Sequence, residues 1–117
     1  MNYTVVGKTI ALLLGSNIFM TFAWYGHLKF RTKPLLLVIA VSWAIAFFEY
    51  CLQVPANRLG ATTLTPAQLK VLQEGITFAV FAGFTTLYFG QRPTLYDTAA
   101  FALVIMAVAV SLFQPAV

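Results

Sequence analysis

The sequence predicts an all-α membrane protein, four transmembrane helices in a compact bundle with both termini on the same side, and three observations carry that expectation. Of its 117 residues 61% are hydrophobic and only 9% charged, with a mean hydropathy of +0.86, which leaves too little polar surface to coat a soluble domain. The apolar residues fall in continuous runs instead of alternating. Backbone polar groups in lipid must be satisfied internally, which permits helices or closed barrels, and continuous runs select helices. A span needs about 20 apolar residues, so four spans and their connections occupy residues 1–117 as a single transmembrane domain.

The first span is read over about residues 5–25. Its charge-free start, long apolar run and lack of an A-x-A-like site argue against a cleaved signal peptide. The basic stretch His27, Lys29, Arg31 and Lys33, followed by Pro34, ends it. The second span covers about 35–54; Pro55 is expected to close it, with Asn57, Arg58, Gly60, Thr62 and Thr63 forming the longest polar connection. Thr65-Pro66-Ala67-Gln68 reads as an N-cap, a proline in the first turn and a capping-box glutamine, which starts the third span near residue 67 and carries it to about 89. Gly90-Gln91-Arg92-Pro93 is a tight turn. Thr94 and Asp97 repeat the capping box for the last span, about 95–113, which Gln114-Pro115 stops.

Lys29, Arg31, Lys33 and Arg92 lie at one face and Lys8, Arg58 and Lys70 at the other, so the positive-inside rule places the termini outside by four charges to three. The similar phrases Leu52-Gln53-Val54-Pro55 and Phe113-Gln114-Pro115 hint at a repeated hairpin. Small residues recur every fourth position at Gly7, Ala11 and Gly15 and at Gly75, Ala79 and Gly83, a spacing that lets helix backbones approach closely. The net charge of +4 sits in loops and helix ends, as suits anionic headgroups, and nothing points to nucleic acid. Cys51 is the only cysteine, so an internal disulfide is excluded.

Carboxylates are costly at membrane depth and tend to be kept for a task, which singles out Glu49 and Glu74. Glu49 lies six residues before Pro55 and Glu74 eight after Pro66, so both are expected roughly 9 to 12 Å below the same face, close enough to share a site. Lys8, Lys70 and Arg58 are the candidate charge partners. A carboxyl that exchanges its proton for a cationic substrate would drive transport, whereas one fixed to a lysine would be a structural clamp. Glu74 is expected to matter more. Its face continues through Phe78, Phe81, Thr85 and Tyr88, rings that line a path for an organic cation or pack against lipid and a neighbouring helix. On the second span Ser42, Glu49 and Gln53 share a stripe beside Trp43 and Tyr50; on the first, Asn17, Thr21 and Trp24 do the same, and these polar atoms should point inward. The candidate substrate- or proton-binding set is therefore Glu74, Glu49, Asn17, Trp24, Tyr50 and Tyr88. His27 reads as an interfacial anchor and Asp97 as a helix cap. No nucleophile–base pair, phosphate-cradling glycine loop or metal-ligand cluster is present, so neither an enzyme nor a cofactor or metal is expected.

Leu87-Tyr88-Phe89-Gly90-Gln91-Arg92-Pro93 ahead of an Ala-, Val- and Ile-rich last helix resembles the end of a unit in the drug/metabolite transporter superfamily, whose small multidrug resistance members have four helices. Over its full length, with Phe22-Ala23-Trp24-Tyr25-Gly26-His27-Leu28-Lys29, Phe48-Glu49-Tyr50 and Gln53-Val54-Pro55-Ala56-Asn57-Arg58, the chain more closely resembles a group of bacterial four-helix proteins of that superfamily without assigned function. The multidrug exporters place their essential glutamate in the middle of the first helix. Here Ser16 and Asn17 stand there, so that role does not carry over and would fall to Glu49 or Glu74. The resemblance implies a bundle that pairs as a homodimer, an antiparallel one being consistent with the nearly balanced loop charges, because four helices alone make a poor alternating-access machine. The leading expectation is a small secondary transporter of the bacterial inner membrane that moves a cationic or polar metabolite by proton exchange. Its rivals are a non-transporting accessory or structural subunit of a larger membrane complex, and one half of a heteromeric pair.

Overall fold

The computed structural model describes residues 2–115 and contains four long helices: α1 (Tyr3–Tyr25), α2 (Leu35–Gly60), α3 (Pro66–Tyr88) and α4 (Leu95–Leu112), with a short 3-10 turn at Gly26–Lys29 prolonging α1. The segments Tyr3–Lys29, Leu35–Gly60 and Leu95–Leu112 are long and apolar enough to cross a membrane. Helix α3 matches them in length but is more polar, with Lys70 and Glu74 in its first half.

The starts of α3 and α4 follow from local chemistry. Thr65 Oγ1 accepts from the Gln68 amide while the Gln68 side chain accepts from the Thr65 amide, and Thr94 and Asp97 reproduce the exchange, so each box satisfies two otherwise orphaned groups. Helix α2 departs from expectation at its other end. It continues through Pro55 to Gly60, taking Asn57, Arg58 and Gly60 into the helix. A proline inside a helix removes one backbone bond and bends the axis but does not have to end it, particularly in a membrane protein where neighbouring helices hold both halves. The Gln-Pro phrase therefore sits inside α2 yet beyond the end of α4, and the two positions are not structurally equivalent.

The helices form a four-helix bundle opened into a row: α2 packs on α1, α1 on α3, and α3 on α4, with Cα extents of 52 × 34 × 19 Å. The Asn2 amide donates to Thr63 Oγ1 at 3.0 Å, tying the start of α1 to the α2–α3 connection. Gln68 Nε2 donates to the Ser111 carbonyl at 3.2 Å, tying the end of α4 to the start of α3. Both ends of the described chain thus lie at one face of the bundle. The aliphatic core, including Leu13, Ala56, Leu69, Leu72 and Ile76, occupies the half nearest that face. Toward the other face the packing becomes aromatic. Phe84 stacks on Tyr88 at 4.8 Å and meets Phe22 edge-on at 5.1 Å, while Tyr25 meets Phe81 at 4.8 Å. Edge-to-face pairs of this kind add about 0.5–1.5 kcal/mol each beyond their buried area.

The small-residue ridges are used selectively. A Cβ on Gly15 would stand 3.1 Å from Leu52 Cδ1 and one on Gly75 2.6 Å from Val108 Cγ2, whereas Gly7 and Gly83 have open space around them. The tightest approach is one that the spacing did not mark: a Cβ on Gly60 would meet Leu69 at 2.5 Å and Thr9 at 2.9 Å.

Candidate functional site

Ser16 and Asn17 are adjacent on α1 and fully buried. Successive helical residues point in different directions, and here one turns to α2 and the other to α3.

On the α2 side, Ser16 Oγ donates to Gln53 Oε1 at 2.9 Å and lies 3.3 Å from Glu49 Oε1; Gln53 Nε2 continues the chain to Asn57 Oδ1 at 3.3 Å. Glu49 is 8% exposed and Gln53 likewise. Two turns of α2 put Glu49, Gln53 and Asn57 on one face at four-residue spacing. A serine hydroxyl has a single proton and cannot donate to both acceptors at once. The contact with Glu49 is completed by sharing that proton or by a proton on the carboxyl group, so it responds to the carboxyl's protonation state.

On the α3 side, Asn17 Nδ2 donates to the Leu13 carbonyl at 2.8 Å and its Oδ1 lies 2.6 Å from the donor Thr77 Oγ1, which is also 2.8 Å from the Gln73 carbonyl. Thr21 Oγ1 donates to the Asn17 carbonyl at 2.7 Å. Thr77 and Thr21 then form part of the wall of a cavity of about 460 Å³ between α1 and α3, which Trp24, Tyr25, Phe78 and Phe81 complete and Glu74 borders. Glu74 Oε1 is 2.8 Å from Lys70 Nζ one turn earlier, both side chains being largely exposed. It is the one salt bridge among the described residues.

The structure thus unites Glu74 with Trp24, Phe78 and Phe81, and Glu49 with Ser16 and Gln53. It keeps the two glutamates apart. Helix α1 runs between their helices, and none of the four cavities described is lined by both. Equal depth from one face did not place them together, because depth fixes height along the bundle and not the side of α1 on which a residue falls. Tyr88 also leaves the Glu74 face. Its hydroxyl donates to the Gly26 carbonyl at 2.8 Å, and Lys29 Nζ lies 4.0 Å above its ring. Thr85 lines a separate cavity with Arg92 and Asp97. Tyr50 is 66% exposed and lines none of these cavities. Lys8 and Arg58 are exposed and outside the salt bridge, so Lys70 alone of the three candidate charge partners meets a carboxylate among the described residues.

Thr77, absent from the candidates the sequence singles out, links Asn17 to the cavity. Its position three residues after Glu74 puts it on the same helix face, and that spacing was the available signal. Ser16 carries no signal in the sequence beyond standing where the multidrug exporters have a glutamate.

A family model described as "Putative member of DMT superfamily (DUF486)" matches residues 9–112. Neither the curated proteins nor the solved structures contain a match to the chain.

Proposed function

Because the chain belongs to this family of the drug/metabolite transporter superfamily, whose members are transporters rather than enzymes, we propose that it is a small secondary transporter that exchanges protons for a small organic cation as a homodimer in the bacterial inner membrane. The observation that carries this reading is the carboxylate of Glu74 at the border of an aromatic cavity. A cation entering there meets the faces of Trp24, Phe78 and Phe81, each cation–π contact contributing about 0.5–2 kcal/mol, and reaches a carboxylate whose present partner, Lys70, sits on a flexible stem at the exposed edge. The incoming cation takes the place of the Lys70 ammonium.

Glu49 is the proton carrier in this reading. Ser16 stands where the small multidrug exporters have their essential glutamate, and its hydroxyl touches a carboxyl delivered from α2. The position is thus served by Glu49. Binding at one side of α1 and protonation at the other communicate through Ser16 and Asn17, neighbours on one rigid element, with Asn17 joined to the cavity wall by Thr77.

The test is uptake of a panel of primary amines and quaternary ammonium ions into proteoliposomes under an imposed proton gradient. Glu74→Gln is expected to abolish cation binding. Glu49→Gln is expected to keep exchange of labelled cation across the membrane while losing gradient-driven accumulation. If both variants accumulate the same cations to the wild-type level with unchanged pH dependence, the reading fails.

The Lys70–Glu74 pair favours one alternative, an accessory subunit in which this pair is a clamp. In that case no cation displaces Lys70, and the protein purifies in stoichiometric amounts with a larger membrane complex.

A further inference from the structure

A second cavity, of about 340 Å³, lies on the opposite side of α1 from Glu74, where the 3-10 turn and the start of α2 diverge. Its long wall is apolar apart from the hydroxyl-bearing Ser42. Leu37, Val38, Val41 and Ile45 line it over two turns of α2, about 12 Å of helix, and Phe22 faces them from α1. At the mouth the chemistry changes abruptly to His27 and Lys33. Tyr88 closes the flank, held by its bond to the Gly26 carbonyl and carrying Lys29 on its outer ring face.

The charge around this mouth has one sign. Residues 27–33 hold His27, Lys29, Arg31 and Lys33, and no Asp or Glu occurs from Gly26 to Phe48. None of Lys29, Arg31 and Lys33 is in a salt bridge among the described residues. An organic cation is repelled here, and a free inorganic anion leaves the apolar wall uncovered. The molecule that satisfies both halves has one anionic head and a hydrocarbon tail.

We propose that this slot between the end of α1 and the start of α2 is a specific seat for one anionic phospholipid, its phosphodiester at Lys33 and His27 and one acyl chain along Leu37, Val41 and Ile45. Basic pockets between membrane helices bind anionic headgroups, and each nearby Lys or Arg adds about fivefold to affinity for an anionic surface. Here the apolar wall adds register, because the chain must enter beside Phe22 for its head to reach Lys33. The ligand is a lipid and differs in class from the transported cation, so the seat stands whether or not transport does.

The test is native mass spectrometry of the full chain in uncharged detergent, titrated with phosphatidylglycerol or with phosphatidylcholine of the same acyl chains. The expected result is one phosphatidylglycerol retained per chain in preference to phosphatidylcholine. Lys33→Gln, a change in an exposed connection, should weaken that retention by about fivefold. Val41→Trp, which fills the slot without touching charge, should abolish the single strongly held lipid. Millimolar inorganic phosphate should not displace it. Equal retention of the two lipids, full retention in both variants, or displacement by phosphate overturns the proposal. Thermal unfolding of both variants in the same detergent identifies a misfolded chain; if Val41→Trp unfolds, the Lys33→Gln titration and the phosphate competition decide the matter.

Discussion

Glu74 already holds an internal cation, and this makes Lys70 the residue to change first. An exposed pair at i,i+4 spacing contributes only about 0.3–0.5 kcal/mol, so Lys70→Gln should leave folding nearly untouched while removing the competitor for the carboxylate. Cation binding, followed by Trp24 fluorescence, is then expected to tighten by about twofold; a clamp would show no cation-dependent signal in either form. Trp24→Ala should weaken binding of a radiolabelled cation, the readout that survives loss of the fluorophore, by about 0.5–2 kcal/mol through loss of a cation–π face. Ser16→Ala tests the other side of α1. Side-chain hydrogen bonds within membrane bundles average about 0.6 kcal/mol and reach about 1.7, so a loss of that order in detergent unfolding is expected, together with a shift in the pH profile of transport. Of these residues, Glu49, Glu74, Trp24 and Asn17 stood out in the sequence because polar and aromatic groups at membrane depth are conspicuous. Thr77 did not, since a threonine can satisfy its hydroxyl on its own helix, as Thr77 also does with the Gln73 carbonyl.

The contact between α3 and α4 rests on a glycine. A Cβ on Gly75 would lie 2.6 Å from Val108 Cγ2, and a β-branched side chain on a helix has essentially one rotamer to offer, so Gly75→Ala must push the two helices apart. Overpacking of this kind costs about 1–3 kcal/mol. The loss should be visible in thermal unfolding and largely reversed by adding Val108→Ala. Gly83→Ala, in open space about two turns along α3 from Gly75, should not destabilise; it gains helix propensity instead. The period of small residues thus marked candidate contacts without telling which side of the helix a neighbour occupies, and Gly60 owes its role to Leu69 and Thr9, which no spacing rule connects to it. Helix starts were legible for a different reason. The boxes at Thr65 and Thr94 are complete within four residues, whereas the end of α2 depended on whether tertiary support would carry the helix past Pro55.

At the scale of the molecule, a row of helices with a Cα thickness of 19 Å cannot by itself surround a path across the bilayer. In the proposed reading a second copy closes the Glu74 cavity on its lipid side, and the assembly extracted in mild detergent is then expected at about twice the 12.9 kDa chain mass. A monomeric mass with full transport would remove the dimer from the mechanism. The positive-inside rule favours termini outside by four charges to three, so the expected outcome is that a reporter active only outside the cytoplasm, fused after Val117, is active and a cytoplasm-active one silent; equal activity of both would mean insertion in two orientations. The architecture of four helices and the shared face of the ends followed from composition and helix count, while the order α2, α1, α3, α4 across the row depends on which side chains meet and had no sequence signal. That order has a consequence for how the protein is made. Each hairpin, α1 with α2 and α3 with α4, is contiguous in sequence, and the halves join through the shared aliphatic core, the approach of Leu69 to Gly60, and the bonds of Thr77 to Asn17 and of Tyr88 to Gly26. The ribosome therefore delivers two pieces that can enter the bilayer one after the other and dock afterwards, and co-expressed polypeptides 1–62 and 63–117 should find each other in the membrane and work as the unbroken chain does.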